Sequence, residues 1–243
     1  MKISIVVPAY NEEKLIGATL ARIGESAVAF TRAGMETELI VCNNNSTDRT
    51  GELAAAAGAR VVFEPVNQIG RARNTGAAAA TGDWLLFIDA DSHPSPALLA
   101  DVATAVQSGR YLAGGATLRL DGEGGYWAAR MVVRVWNQMS RVVKIMAGSF
   151  IFCETAAFRE IGGFDLRLYA SEEIDLSQRL KKVARRRNRR LIMLHRHPLL
   201  TSARKLHLYG TREHLRFLAR TFWARGGTLR NPKDCNIWYD GRR

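Results

Sequence analysis

Two carboxylates one residue apart, Asp89 and Asp91, follow a strand predicted over Trp84–Ile88. All five strand residues are apolar, which predicts burial on both faces. Paired carboxylates at the end of such a strand need a cation or a basic side chain to balance their charge, and their oxygens suit Mg²⁺ or Mn²⁺. In the simpler alternative, Asp89 ends the strand and Asp91 or Ser92 caps the next helix. Both interpretations stay open on these residues alone.

A second acidic cluster opens a helix predicted from Glu172 to about Val183, with Ser171 as its cap. Glu172, Glu173 and Asp175 can stabilise the first turn through the helix dipole. Next to a divalent cation, one of these carboxylates could instead act as a general base toward an acceptor hydroxyl.

Basic side chains and a late histidine could complete such a site. Arg73 lies near the start of a helix predicted over Ile69–Ala80, and its guanidinium suits a diphosphate as well as solvent. His197 follows a strand predicted over Leu191–Leu194 and is a candidate metal ligand, although a single histidine is more often structural or exposed. The chain has no P-loop and no glycine-rich dinucleotide loop after a strand.

Strands and helices alternate along residues 1–107, which predicts a parallel sheet. The predicted strands are Lys2–Ala9, Glu38–Cys42, Arg60–Phe63 and Trp84–Ile88, and the helices between and after them are Glu12–Arg32, one ending at Ala57, Ile69–Ala80 and one ending near Gln107. Ligands bind at the carboxyl ends of the strands in such sheets. The polar clusters Asn43–Asp48 and Asp89–Ser92 both follow strand ends.

The later elements are less regular. We predict strands over Tyr111–Leu120 and Ser149–Cys153, a long amphipathic helix over Tyr126–Met146 whose Trp127 and Trp136 face the core, and a basic amphipathic helix over Leu206–Trp223. No repeat or linker divides the chain, which favours one compact domain.

Composition narrows the class of protein. With 47% hydrophobic and 24% charged residues among 243, the chain should fold rather than stay disordered. No apolar run reaches the roughly 20 residues that cross a bilayer. The start is too short and too polar for a signal peptide, so we expect a cytoplasmic protein.

The charge is uneven. Residues 179–243 carry 19 basic and 3 acidic side chains, whereas residues 1–178 are mildly acidic. This excess indicates an anionic partner, either a membrane surface, a lipid phosphate or nucleic acid, or else a solvated surface.

Six motifs in order are similar to those of the family 2 glycosyltransferases with the GT-A fold, over roughly residues 1–185. They are Val6-Val-Pro-Ala-Tyr-Asn-Glu-Glu, Asn43-Asn-Asn-Ser-Thr-Asp, Gly70-x-Ala-Arg-Asn-x-Gly, Asp89-x-Asp, Gly162-Gly-Phe-Asp and Glu172-Glu-x-Asp-Leu. The resemblance implies an α/β protein with a mixed, mostly parallel sheet flanked by helices and a basic helical C-terminal region. It implies one domain over 1–225, with a nucleotide-binding part about 1–110 and an acceptor part about 111–225, before a tail over 226–243.

The resemblance also implies transfer of a sugar from a nucleotide diphosphate sugar to an acceptor hydroxyl or lipid phosphate, with Mn²⁺ or Mg²⁺ and with inversion of the anomeric configuration. The residues it assigns to the donor are Pro8, Ala9, Tyr10, Glu12, Asn43, Asn45, Arg73, Asp89 and Ala90. It gives the metal to Asp91 and the catalytic base to Glu173, with Glu172 as the alternative. His197 is the second candidate metal ligand, on its position after the last predicted strand. Asn43 stands where the family usually has an aspartate. Glu173 also stands where the family usually has an aspartate, whose side chain is one methylene shorter.

Other functions stay open at this point. An inactive nucleotide-sugar-binding homologue is compatible with the changes at Asn43 and Glu173. A sugar nucleotidyltransferase usually has a glycine-rich loop after the first strand, which this chain lacks. Nucleic acid is not an expected partner, because acidic strand ends would repel phosphate. We expect the acceptor to be a saccharide, a lipid or a polyprenyl phosphate. The basic C-terminal quarter could contact an anionic membrane from the cytoplasmic side. Alternatively, the helix over Leu206–Trp223 could pack against a second copy in a homodimer.

Overall fold

The computed structural model describes residues 1–121 and 127–202, and the side chains of 127–129 are not part of that description. The strands in this part of the chain are β1 (Lys2–Ala9), β2 (Glu36–Asn43), β3 (Arg60–Phe63), β4 (Trp84–Ile88), β5 (Ser92–His93), β6 (Tyr111–Leu120), β7 (Phe150–Glu154) and β8 (Arg190–Thr201). The helices are α1 (Ile16–Arg32), α2 (Thr50–Ala56), α3 (Ile69–Ala79), α4 (Pro96–Gln107), α5 (Trp127–Val143), α6 (Thr155–Glu160) and α7 (Glu172–Arg186).

The strands form one sheet in the order β3-β2-β1-β4-β7-β6-β8-β5. From β3 to β4 all neighbours are parallel. Beyond β4, β7 runs antiparallel to both β4 and β6, whereas β6 and β8 are parallel. The predicted α/β class with a mixed, mostly parallel sheet and flanking helices is confirmed.

Helices cover both faces of the sheet, because successive side chains of a buried strand point in opposite directions. Ile3 and Ile5 of β1 pack in a core that includes residues of α1 and α4. Val6 of β1 packs in the opposite core, with Leu85 and Phe87 of β4 and residues of α6 and α7. This sandwich fixes the strand ends that carry the polar clusters.

Several predicted boundaries are corrected by the structure. The helix predicted from Glu12 begins at Ile16, because residues 12–15 form a turn in which the Glu12 carbonyl accepts hydrogen bonds from the backbone N–H groups of Leu15 and Ile16. The last strand continues to Thr201 instead of ending at Leu194, since it pairs along β6 and then with β5. Ser171 precedes α7, but its side chain makes no capping hydrogen bond and its φ is 62°.

The long helix α5 ends at Val143 instead of Met146. Trp136, which was predicted to face the core, is half-buried, and the side chain of Trp127 lies outside the described residues. Val132, Val135 and Val142 are 68%, 64% and 82% exposed. The predicted helix over Leu206–Trp223 and the tail lie outside the described residues. Within those residues, every helix falls short of the length and apolar character that crossing a membrane requires.

Candidate active site

The strand register brings the predicted donor-binding segments to one edge of the sheet. Ala9, the last residue of β1, pairs with Asn43, the last residue of β2. β4 lies on the other side of β1 in parallel, so Asp89 follows β4 at the same edge. Pro8 pairs with Cys42 one step earlier. Segments distant in sequence therefore meet here, as expected for parallel strands.

Hydrogen bonds tie the loop after β1 to the loop after β2. Asn11 adopts a left-handed φ of 52°, and its side-chain Oδ1 accepts a hydrogen bond of 2.8 Å from the backbone N–H of Thr47. The backbone N–H of Glu12 donates to Thr50 Oγ1 at 2.7 Å, and Glu12 itself is buried. Tyr10, between the strand and this turn, is half-buried. The two loops thus form one rigid rim.

The three asparagines after β2 have separate surroundings. The side chain of Asn43 accepts a hydrogen bond of 3.0 Å from the backbone N–H of Ser46. Asn44, which the sequence did not single out, is buried and donates its amide to the carbonyls of Glu64 and Val66 at 3.2 Å and 2.6 Å. Asn45 is exposed with a φ of 62°. Asn45 is therefore accessible at the rim, whereas Asn44 holds the loop together.

Arg73 joins the two acidic clusters inside the protein. Only 1% of it is exposed, and its Nη1 lies 2.7 Å from Glu172 Oε1 while its Nη2 lies 2.9 Å from Asp89 Oδ1. Nη2 also donates to the carbonyl of Gly148 at 2.9 Å, and the guanidinium lies 5.3 Å from the ring centre of Phe164. Arg73 would reach a diphosphate only by giving up one of these contacts.

Close packing of α3 on β1 holds Arg73 at this depth. A Cβ added to Gly76 would come within 2.4 Å of Val6 Cγ1, so the helix approaches the strand at a distance that only glycine permits. Arg73, about one turn earlier on α3, is thereby directed along the carboxyl edge of the sheet.

Glu173 stands beside this ion-pair cluster. Burial and the negative charge of Glu172 raise the pKa of Glu173 to about 8, although Arg73 acts in the opposite direction. A carboxyl group whose pKa lies near the working pH is suited to general base catalysis. The pairing of Glu172 with Arg73 distinguishes the two residues, because Glu172 is already committed to an ion pair.

Two amides of the α3 region hold the segment that precedes α7. Gln68 is fully buried and donates its side-chain amide to the carbonyls of Leu166 and Leu168, both at 2.9 Å. Asn74 exchanges two hydrogen bonds with the backbone of Phe164, at 3.0 Å and 2.9 Å. Sequence reasoning missed both contacts, since nothing local distinguishes Gln68 or shows that Asn74 turns toward this segment.

The predicted metal ligands have different surroundings. Asp91 is 7% exposed, and its carbonyl accepts a hydrogen bond of 3.2 Å from the backbone N–H of Ser202, just beyond β8. The preceding Ala90 is buried, and its carbonyl accepts from Thr19 Oγ1 at 2.7 Å. His197 lies in an irregular stretch of β8, and its Nδ1 is 2.9 Å from a carboxylate oxygen of Asp101 on α4. The structure thus gives His197 a carboxylate partner outside the Asp89-x-Asp91 pair.

Comparison with known proteins assigns the chain to a family. The model of the family described as Glycosyl transferase family 2 matches residues 4–161, well over half of the chain. The chain belongs to glycosyl transferase family 2. An uncharacterised glycosyltransferase of Mycobacterium tuberculosis is 35% identical over 141 residues, which are 57% of this chain and 60% of that protein. This family 2 chain therefore spans less than two thirds of the length of that relative.

Solved structures confirm the GT-A fold of this family 2 chain. Residues 1–349 of S. aureus TarS, in complex with UDP-GlcNAc, superpose with a TM-score of 0.65 and 21% identity, covering 83% of this chain and 58% of that one. The glucosyl-3-phosphoglycerate synthase of Mycobacterium tuberculosis, in complex with Mn²⁺, UDP and phosphoglyceric acid, gives a TM-score of 0.59 and 21% identity, covering 93% and 78%. At this identity the likeness establishes the fold alone.

Proposed function

We propose that this chain is an active glycosyltransferase that moves a sugar from a nucleotide diphosphate sugar to an acceptor hydroxyl or lipid phosphate with the help of a divalent cation. One observation carries the proposal: Arg73 bridges Asp89 and Glu172, so both acidic clusters meet beside Glu173 at the carboxyl edge of the sheet. The UDP-GlcNAc bound to S. aureus TarS, and the UDP and Mn²⁺ bound to the glucosyl-3-phosphoglycerate synthase, support the same class of donor.

The donor would lie along the rim at the ends of β1, β2 and β4. We assign its nucleotide to a part spanning about residues 1–110, and the acceptor to about 111–225, within one domain over 1–225. The residues assigned to the donor are Pro8, Ala9, Tyr10, Glu12, Asn43, Asn45, Asp89 and Ala90. The Asn43 side-chain amide can both donate and accept hydrogen bonds, whereas an aspartate carboxylate could only accept them. The part of the rim that would bind the nucleotide base therefore has both donor and acceptor groups.

We expect the phosphates of the donor, together with one carboxylate, to hold the cation, rather than a set of three or more side chains. The described residues contain no group of three or more His, Cys, Asp or Glu that could hold a metal ion. Mg²⁺ is commonly bound by one or two carboxylates together with substrate phosphates, and Mn²⁺ accepts the same oxygen ligands. Asp91 would supply the carboxylate, and His197 is left out because Asp101 already engages it. When bound, the cation neutralises negative charge on the departing diphosphate.

Glu173 supplies the base for the transfer step. The acceptor hydroxyl gives its proton to the ionised Glu173 carboxylate as the acceptor oxygen forms a bond to the anomeric carbon. The bond from that carbon to the diphosphate oxygen breaks, and the nucleoside diphosphate leaves with the electron pair. A single in-line displacement inverts the anomeric configuration, which NMR of the product would show.

Arg73 acts as a positioning residue in this proposal. Its contact with Glu172 fixes the start of α7, and therefore the direction of Glu173 from the next position. The positive charge of Arg73 also offsets the negative charges of Asp89 and Glu172. Without that charge, the two carboxylates would raise the pKa of Glu173 still further.

A thermal-shift panel of UDP, GDP, dTDP and CDP and their sugars, with and without Mn²⁺, tests donor binding. We expect one nucleotide to stabilise the chain only with Mn²⁺, and Asp91→Ala to abolish that effect. A flat response over the whole panel would mean that the chain binds none of these donors, which would contradict the proposal.

Substitution at the base tests the chemistry separately. Glu173→Gln should keep donor binding and lose transfer, because an amide cannot accept the proton. Asp175→Asn is the matched control, since it changes the same acidic run at a carboxylate paired with Arg179. Unchanged turnover of Glu173→Gln would place the base elsewhere. The kcat/KM of the parent should rise with pH through about 8, the pKa of Glu173 in the free protein.

A further inference from the structure

The exposed face of α5 is the most unusual surface in the described part of the chain. Its apolar residues Met131, Val132, Val135, Met139, Val142 and Val143 are between 41% and 82% exposed. At 3.6 residues per turn they fall within an arc of about 120°, which makes one continuous stripe along the helix. An exposed apolar stripe of this length marks an interaction surface rather than scattered surface residues.

Basic side chains accompany the stripe at both ends. At the start of α5, a groove of about 860 Å³ against the end of β6 is lined by Arg119, Arg130 and Arg134, with Asp121 as its one described acid. At the end of α5, a groove of about 580 Å³ is lined by basic residues and one described acid, Asp101. The basic residues of this second groove are Arg110, Arg141, Lys144 and Arg196. The α5 face therefore combines apolar contact area with positive charge.

Charge decides between the occupants that such a face could take. A second copy would bring the same arginines against one another across a symmetric contact, and juxtaposed like charges disfavour association. The chain's own segment 203–243 carries 10 basic and 3 acidic residues, so it has the same sign as the face. A bilayer with anionic headgroups has the opposite sign and an apolar interior. Helices with an apolar stripe and a basic polar face bind such interfaces.

We propose that the α5 face, defined by the apolar stripe and the basic residues of both grooves, binds the surface of a membrane that contains anionic phospholipids. α5 would lie in the plane of the interface, with its valines and methionines among the upper acyl chains and its arginines at the level of the phosphates. The interaction is peripheral and needs neither a spanning helix nor the catalytic step.

The α5 face is connected directly to the ion-pair cluster of Arg73, Asp89 and Glu172. Lys144 follows α5, and four residues later Gly148 accepts a hydrogen bond from Arg73, so the end of the face is within roughly 14 Å of the cluster along the chain. The Met146 backbone N–H donates to Ser177 on α7 at 3.0 Å, and the Asn137 side chain is bonded to both backbone groups of Leu118 on β6. These hydrogen bonds hold α5 in place, so lipid bound at α5 would lie close to the Arg73 cluster.

Vesicle co-sedimentation of the full-length protein tests the proposal. We expect binding to vesicles of equal parts phosphatidylglycerol and phosphatidylcholine, and much weaker binding to phosphatidylcholine alone. The triple variant Val132→Ser, Val135→Ser, Val142→Ser should bind the anionic vesicles at least tenfold more weakly, because three exposed side chains no longer partition into the interface. Replacing Arg134 by Gln should weaken binding about fivefold, the effect of one well-placed charge.

A matched control separates this face from general surface effects. Val28→Ser changes a valine on α1 that is 46% exposed, and it should bind vesicles as the parent does. Melting temperatures of all variants check that they are folded.

Three results would overturn the proposal. If the parent does not bind anionic vesicles, the face is not a membrane surface. If the triple variant binds as well as the parent, binding belongs to another region, such as the basic C-terminal quarter. If light scattering shows a dimer that the triple variant dissociates, without vesicle binding, the occupant is a second copy. None of these results depends on transfer activity, so the proposed function is tested independently.

Discussion

Replacing Arg73 by methionine tests the ion-pair cluster that unites the two acidic segments. Methionine keeps much of the volume but removes the charge that Asp89 and Glu172 share. Breaking a buried pair by removing one partner costs about 3–5 kcal/mol. Because Asp89 is 18% exposed and partly hydrated, we expect the lower end, about 3 kcal/mol at pH 8. At about 2–4 °C per kcal/mol for a chain of this size, the melting temperature should fall by about 6–12 °C.

The loss should depend on pH. Arg73 lowers the pKa of Glu173, which burial and the charge of Glu172 raise to about 8, so without Arg73 this pKa rises further above its value in the unfolded chain. Such a group destabilises the fold above its unfolded pKa, and the penalty disappears as acid protonates it. The difference between Arg73→Met and the parent should therefore be smaller at pH 5 than at pH 8, which thermal melts monitored by circular dichroism at the two values would measure.

A double-mutant cycle identifies the partner. Glu172→Gln in the Arg73→Met background should cost less than in the parent, with a coupling free energy of about 1–3 kcal/mol. Arg179→Met is the control, since Arg179 pairs with Asp175 at side-chain exposures of 26% and 33%, where such pairs are worth about 0–1 kcal/mol. Additive losses from Arg73→Met and Glu172→Gln, or equal losses at both pH values, would refute the buried ion pair.

Four further changes test the surroundings of the site and the opposite edge of the sheet, each by thermal melts against the parent. Gly163→Ala should destabilise by about 1–3 kcal/mol, because Gly163 has a φ of 71° and an added Cβ would lie 2.5 Å from Asn74 Oδ1; an unchanged melt would contradict that contact. Ser171→Gly should stabilise by up to about 1 kcal/mol by relieving the left-handed φ of 62°, and a loss would show that the hydroxyl has a role of its own. Glu173→Gln should be more stable than the parent at pH 8.5 and similar at pH 4.5, since the raised pKa penalises the ionised carboxylate above pH 4.5; the reverse order would mean that the carboxylate is well solvated. Glu38→Gln should lower the free energy of unfolding by about 1–2 kcal/mol at pH 7, because hydrogen bonds to the Glu38 carboxylate outweigh its burial and lower its pKa to about 2. The difference from the parent should shrink as the pH falls from 4.5 toward 2. A difference that stays constant with pH would mean that packing, not the charge, causes the loss.

Much of the fold could be predicted from local sequence. β1, β3, β4 and β6 begin and end at the predicted residues, because runs of apolar and β-branched residues bounded by turn residues define a strand well. Local pattern could not fix the end of β8, since its extension to Thr201 depends on pairing with β6 and β5. The mixed sheet beyond β4 was expected from the family resemblance rather than from periodicity.

The residues of the site were harder to assign than the elements. Spacing placed Asp89 and Glu173 at element ends, but nothing local shows that Arg73 turns inward to bond Asp89 and Glu172 instead of pointing to a ligand. The same holds for the exposed stripe of α5, because an amphipathic pattern reveals that one face is apolar and not what covers that face.

The two amides that hold the segment before α7 bond only to its backbone. Gln68 takes the carbonyls of Leu166 and Leu168, and Asn74 takes both backbone groups of Phe164. Main-chain anchoring is indifferent to the identity of the anchored residues. The side chains of Leu166 and Leu168 can therefore be exchanged without loosening the start of α7, so this stretch can vary in sequence while Glu172 and Glu173 keep their positions.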